Sequence, residues 1–195
     1  MSITKRKNQP RTRSSLPRAP SRGKSPADSV PAAISLGSNL GDRRAALARA
    51  RVALAALHSG PRAPRVSALY ETEPVGCAPG TPAFLNAVVE IHTTLGPAAL
   101  LRHLRRIERE AGRPPRRRRN SPRPLDLDLI HAGAVRLDTP TLTLPHPRAA
   151  SRRFVLRPLA DLSPDLVLPG RRRSVSALLA ALPASPAVRR VATRW

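Results

Sequence analysis

The stretch Arg123-Pro124-Leu125-Asp126-Leu127-Asp128-Leu129-Ile130 alternates leucine and aspartate. It therefore reads as a β-strand, because side chains two residues apart on a strand point to the same face. Asp126 and Asp128 then stand side by side, and Leu125, Leu127 and Leu129 face the other way, toward a core. Two like charges on one face repel unless something positive lies between them. A hard, oxygen-seeking cation such as Mg²⁺, held by one or two carboxylates plus substrate phosphates, meets that need. The same spacing also suits a half-exposed strand with an acidic outer face. The neighbouring segment Arg113-Pro-Pro-Arg116-Arg117-Arg118-Arg119-Asn120-Ser121-Pro122-Arg123 tips the balance. Its cations suit a polyphosphate, so carboxylates and arginines together read as a nucleotide site.

Working outward from that strand, the pattern places the other elements. Ala32–Leu36 reads as a buried strand running into the turn Gly37-Ser38-Asn39-Leu40-Gly41-Asp42. A helix follows over 43–57, with Leu47, Ala50, Leu54 and Leu57 on one stripe and Asp42 as its N-terminal cap. Val66–Tyr70 reads as a second strand, and residues 72–82 as a Pro/Gly loop. Phe84–Thr93 alternates, with Leu85, Ala87, Val89 and Ile91 opposite Phe84, Asn86, Val88 and Glu90. Gly96-Pro97 opens a helix that buries Leu100, Leu101, Leu104 and Ile107, and Gly112 closes it. The order β-α-β-β-α-β predicts an α+β, ferredoxin-like sandwich. A Pro-rich C-terminal extension from about residue 136 wraps over the sheet, and residues 174–182 add a short helix. The expected organisation is a disordered basic tail over 1–29, a domain over 30–170 and a basic segment over 171–195.

Composition bounds the surroundings. The formal net charge is +23, which favours polyanionic partners. Much of it is peripheral: residues 1–29 and 171–195 contain Asp28 as their one acid. The tails are thus expected to bind polyanions weakly and salt-dependently. With Cys77 as the one cysteine no internal disulfide can form, and a reducing, cytoplasmic setting is expected. No apolar run approaches the roughly 20 residues of a membrane span. The basic, Ser-rich start shares the bias of an organelle transit peptide, but its prolines and lack of amphipathic period argue against one.

Other residues carry weaker signals. Gly37-Ser38-Asn39 lies between a strand and a helix but lacks phosphate-loop spacing, so it reads as a β-α turn. Phe84 suits stacking on a flat heterocycle with Asn86 bonding the ring edge, and equally suits a core position. His146 is fixed between Pro145 and Pro147, with Arg148, Arg152 and Arg153 close behind, which favours a phosphate contact. Cys77 has no partners at zinc-ligand spacing.

In order along the chain, Leu36-Gly37-Ser38-Asn39-Leu40-Gly41-Asp42, Tyr70-Glu71-Thr72-Glu73-Pro74, Phe84-Leu85-Asn86-Ala87, Arg106-Ile107-Glu108, Gly112-Arg113, Pro122-Arg123 with Leu125-Asp126-Leu127-Asp128, and Leu144-Pro145-His146-Pro147 resemble the 6-hydroxymethyl-7,8-dihydropterin pyrophosphokinase family of folate biosynthesis. The resemblance spans about 32–170. It implies transfer of diphosphate from ATP to the pterin hydroxymethyl group, giving AMP, with two Mg²⁺ ions on Asp126 and Asp128. It also implies that Arg113 and Arg123 stabilise phosphate charge. Glu108, Arg116, Leu129, Thr143, His146 and Arg152 fall at ATP-contacting positions. Thr72, Glu73, Pro74, Val75, Phe84, Asn86 and Phe154 fall in the pterin pocket. The loops 73–82 and 113–124 look like lids, and a monomer is expected. Where the family usually has Trp-Gly-Pro-Arg-Thr, this chain has Asn120-Ser121-Pro122-Arg123-Pro124, and Arg105 replaces a common glutamine. Two rivals remain at this stage: a basic RNA- or DNA-binding module of the same fold, and an inactive member of the family. The first leaves the two aspartates unexplained and lacks stacking aromatics.

Overall fold

The computed structural model describes residues 25–74, 76–113 and 121–195. Val75, Arg116, Asn120 and residues 1–24 of the expected tail therefore lie outside the described residues. The strands are β1 (Val30–Ser38), β2 (Arg65–Val66), β3 (Leu69–Thr72), β4 (Phe84–Thr93), β5 (Asp126–Ala132), β6 (Leu137–Asp138), β7 (Thr143–Leu144) and β8 (Val188–Ala192). The helices are α1 (Arg43–Ala55), α2 (Pro97–Glu110), α3 (Arg153–Leu162) and α4 (Val175–Ala180). The main sheet runs β5-β1-β4-β3-β8, with β2 also on β4, and its pairings are antiparallel. The fold is thus α+β with an antiparallel sheet.

Alternation along the strands divides the core. Leu85, Ala87, Val89 and Ile91 of β4 join Leu127 and Leu129 of β5 under α1 and α2. Ala33, Val88 and Ile130 face the opposite side and pack against Val155, Leu156 and Leu159 of α3. Burying each of the valine, leucine and isoleucine side chains contributes about 2 kcal/mol against leaving it in water. Asp42 caps α1 as its sequence position predicts, its Oδ1 accepting from the Ala45 N–H at 2.9 Å.

The C-terminal third, expected as a Pro-rich segment from about residue 136 to 170 over the sheet, contains a helix the sequence does not signal. Residues 153–162 form a helix that covers the second face, giving three layers. The density of prolines masks the Val155/Leu156/Leu159/Leu162 stripe, and Pro158 sits inside the helix with no N–H to donate. Buried Tyr70 secures this layer: its hydroxyl donates to Asp161 at 2.8 Å and accepts from Arg157 Nε at 3.1 Å. The expected short helix appears as α4, but β8 is not anticipated by the sequence. It pairs with β3 from Leu69↔Ala192 to Thr72↔Val188, and Trp195 beyond it donates to the Ser67 carbonyl at 2.9 Å. The single strand expected over 66–70 is broken into β2 and β3, because the Ser67 hydroxyl takes the Val88 N–H at 2.9 Å. No helix among the described residues is long and apolar enough to cross a membrane.

A bulge at Ile130 of β5 sets His131 opposite Ala33, in the same cross-strand row as Glu90. His131 is only 3% exposed. Burial pushes its imidazole below the ordinary histidine value, against the opposing pull of the Glu90 carboxylate and the Gly133 backbone. The folded state therefore refuses a proton that the unfolded chain accepts, so stability is lost as pH falls below the unfolded value. Thermal melts between about pH 7 and pH 5 should show a falling Tm, with a shallower slope for His131→Leu. An unchanged slope in that variant would remove His131 as the cause.

Candidate active site

The strand ends away from α1 and α2 assemble a cavity of about 550 Å³. Its floor follows from register: Gly37 on β1 lies between Asn86 of β4 and Asp126 of β5, and Ser35 lies beside Asp128. The sequence places Gly37 and Ser38 in a turn, whereas both continue β1. The reason is space rather than backbone freedom. A Cβ on Gly37 would stand 3.3 Å from Asn86 Oδ1 and 3.9 Å from Phe84, so a side chain there would fill the floor. Thr72, Glu73, Phe84, Asn86 and Phe154 line this cavity together with Arg113, Arg123, Asp126, Asp128 and Arg152. Pro74 is adjacent in sequence but does not line it. The Asn86 amide is oriented by donation to Thr72 Oγ1 at 2.7 Å. Arg123 lies 5.1 Å from the Phe84 ring centre, and Arg152 lies 5.4 Å from that of Phe154.

A second cavity of about 360 Å³ opens at the outer edge of β5, between α2 and residues 139–147. Glu108, Leu129, Thr143 and His146 line it. Leu101, expected in the core stripe of α2, also borders it, which explains its partial exposure. Arg113 and Asp128 line both cavities. The two spaces therefore meet at one cation and one carboxylate.

Charge is closely paired at that junction. Asp126, with its side chain 17% exposed, receives Arg113 Nη1 at 2.9 Å and Arg123 Nη2 at 2.6 Å. Asp128, 36% exposed, faces Arg152 Nη1 at 3.4 Å and His146 Nε2 at 3.9 Å. Glu108 is buried, bonds Arg113, and accepts the Leu127 N–H at 2.8 Å. It thus joins α2 to β5 and fixes Arg113. The chain reaches Arg113 through Gly112, whose φ of +88° is left-handed and lets the Arg113 N–H return to the Glu108 carbonyl at 3.0 Å. His146 is held by the Arg148 N–H, which donates to Nδ1 at 3.2 Å and leaves Nε2 as the protonated nitrogen facing Asp128. Burial pushes His146 below its ordinary value; Arg152 and Arg148 act the same way, and Asp128 opposes them.

Three features escape sequence reading. Asn39, 1% exposed, binds the loop before β5 twice, its N–H donating to the Arg123 carbonyl at 3.1 Å and its Oδ1 accepting from the Arg123 N–H at 2.8 Å. Its position in a Gly-Ser-Asn turn marks it but not its partner. Residues 182–188 form one wall of the larger cavity, and nothing in their Pro/Ala/Ser composition signals it. Arg148 and Arg153 also line that cavity, and only their proximity to His146 in sequence hinted at this.

Comparison with known proteins adds an independent result. The family model described as 7,8-dihydro-6-hydroxymethylpterin-pyrophosphokinase (HPPK) matches residues 33–164. A 2-amino-4-hydroxy-6-hydroxymethyldihydropteridine pyrophosphokinase of Pseudomonas aeruginosa is 45% identical over 150 residues, covering 77% of this chain and 90% of that protein. The folic acid synthesis protein fol1 of Schizosaccharomyces pombe is 41% identical over 152 residues, covering 77% of this chain and 20% of that one. A crystal structure of Plasmodium falciparum HPPK-DHPS with pteroate superposes with a TM-score of 0.57 at 13% identity. It covers 78% of this chain and 43% of that chain, so this chain spans less than half of it, and the likeness speaks to fold alone.

Asn39→Ala removes a buried acceptor and leaves the Arg123 N–H unpaired. Urea denaturation should show a loss of about 1–3 kcal/mol. A midpoint equal to that of the parent protein would mean that the Asn39 bonds do not hold the loop.

Proposed function

Because the chain belongs to the 7,8-dihydro-6-hydroxymethylpterin-pyrophosphokinase family, we propose how its two cavities divide one reaction. That reaction is ATP-dependent pyrophosphoryl transfer to 6-hydroxymethyl-7,8-dihydropterin in folate biosynthesis, with AMP as the second product. The observation that carries the division is the sharing of Arg113 and Asp128 by both spaces. In this reading the larger cavity takes the pterin and the smaller one ATP. The diphosphate crosses where they meet.

On the pterin side, Phe84 and Phe154 sandwich the ring over bare Gly37, and Asn86 and Thr72 bond its edge. Glu73 and Pro74 belong to the flanking loop, and the family resemblance assigns Val75 to the same substrate. On the nucleotide side, Leu129, Thr143 and His146 receive ATP, with Arg116 and Arg152 on its phosphates. Glu108 acts there chiefly by holding Arg113. Arg113 and Arg123 offer planar forks to the transferred and leaving phosphates, where guanidinium geometry serves better than an ammonium. Arg123 Nε is buried with no partner among the described residues, leaving a donor to spend on phosphate.

Asp126 and Asp128 suit Mg²⁺ by chemistry and placement: hard oxygen donors, adjacent on one face, both opening into the larger cavity. No group of three or more His, Cys, Asp or Glu gathers for a metal among the described residues. Phosphate oxygens and water would complete the coordination, and we assign two ions to this pair. When bound, they neutralise the triphosphate and orient it for in-line attack.

We assign the β5-β1-β4-β3 order, with α1 and α2 on one face, to the ferredoxin-like class, its Pro-rich extension supplying α3. A cytoplasmic monomer whose basic tails bind polyanions weakly completes the proposal. Neither the nucleic-acid-binding reading nor the inactive-member reading is favoured, given the family membership.

The test is AMP release from ATP and Mg²⁺ with and without 6-hydroxymethyl-7,8-dihydropterin. Pterin-dependent AMP is expected, with at least a roughly hundredfold loss in Asp126→Ala and in Asp128→Ala. ADP in place of AMP would overturn the assignment of the attacked phosphorus. Full activity in both variants would overturn the metal site.

A further inference from the structure

The wall formed by residues 182–188 is strung between two elements that already carry pocket residues. At its far end Val188 pairs with Thr72, whose hydroxyl orients Asn86. At its near end lies Arg153, immediately before Phe154 at the start of α3. Arg153 Nη1 reaches the carbonyls of Leu179 at 3.5 Å, Leu182 at 3.3 Å and Pro183 at 3.4 Å. The Leu179 carbonyl also accepts from the Leu182 N–H at 3.2 Å, so Arg153 adds to the turn that follows α4. Each contact is long for a hydrogen bond, so the grip comes from one charge shared among three dipoles. Pro183 and Pro186 bring no N–H of their own, so the segment has few donors for backbone pairing.

We propose that Arg153 is a positioning residue for the pterin. It holds the Leu182–Pro186 wall at a fixed distance from the Phe84/Phe154 slot and so sets the width available to a flat bicyclic ring. This rests on the assignment of the larger cavity to the pterin. Arg123 and Arg152 pair with the carboxylates, whereas Arg153 bonds the wall carbonyls, so its effect should fall on the pterin.

The discriminating variant is Arg153→Met, which keeps the aliphatic stem and removes the donors, with Arg153→Lys as the conservative partner. Steady-state kinetics for each substrate, pterin binding by its own fluorescence and thermal melts should be read together. The expected result is a KM for pterin, and a matching Kd, raised about tenfold in Arg153→Met, with kcat and the KM for ATP within about twofold. Arg153→Lys should fall between, since an ammonium still reaches carbonyl oxygens. It also supplies the readout if the methionine variant does not fold. A lowered Tm with unchanged pterin affinity would overturn the inference, reducing Arg153 to a structural brace. Equal rises in both KM values would also overturn it, placing the residue on the phosphates. Parent protein without pterin-dependent AMP would bring down the underlying reading as well, a signature distinct from failure of the variant alone.

Discussion

Two carboxylates on one face of β5 set the terms for everything around them. Left alone they would repel, and the chain answers with cations drawn from separate elements. Arg113 arrives from the end of α2, Arg123 from the loop before the strand, and Arg152 from the start of α3. Each arrival demands its own support. Glu108 and the left-handed Gly112 deliver Arg113, and Asn39 delivers Arg123. The helix placement, the β1–α1 turn and the approach to β5 can thus be read as consequences of charge pairing at one spot.

The same pairing explains why the site is poised between two ligands. Guanidinium groups that neutralise aspartates are also suited to phosphate oxygens, and the small spacing between Asp126 and its two arginines keeps both options within a side-chain rotation. The cavities on either side differ in character. One is floored by a glycine and walled by two phenylalanines, which suits a flat ring. The other runs along β5, which is an edge strand of the sheet among the described residues.

Much of this was legible in the chain. Alternation separated the acidic face of β5 from its leucine face, and the positions of Phe84 and Asn86 on β4 followed from the same period of two. Helix signals at Asp42, Pro97 and Gly112 are local, and the helix ends fall there. What stayed hidden depended on contacts distant in sequence. Gly37 as floor required knowing which strands flank β1. Asn39 required its partner 84 residues away. Helix α3 was obscured by its proline, and β8 by a short, Arg-rich segment that pairs with β3, far away in sequence. The seven residues of the Trp-less arginine loop before Ser121, with Arg116 among them, lie outside what the structure describes.

The position of β8 has a bearing on how the protein comes into being. The sheet places β8, the most C-terminal of the described strands, beside β3, and the wall of the larger cavity is made just before it. Pairings so distant along the chain close slowly, because the intervening loops must be ordered first. The larger cavity therefore gains this wall only after residue 188 has left the ribosome, well after the acidic strand itself.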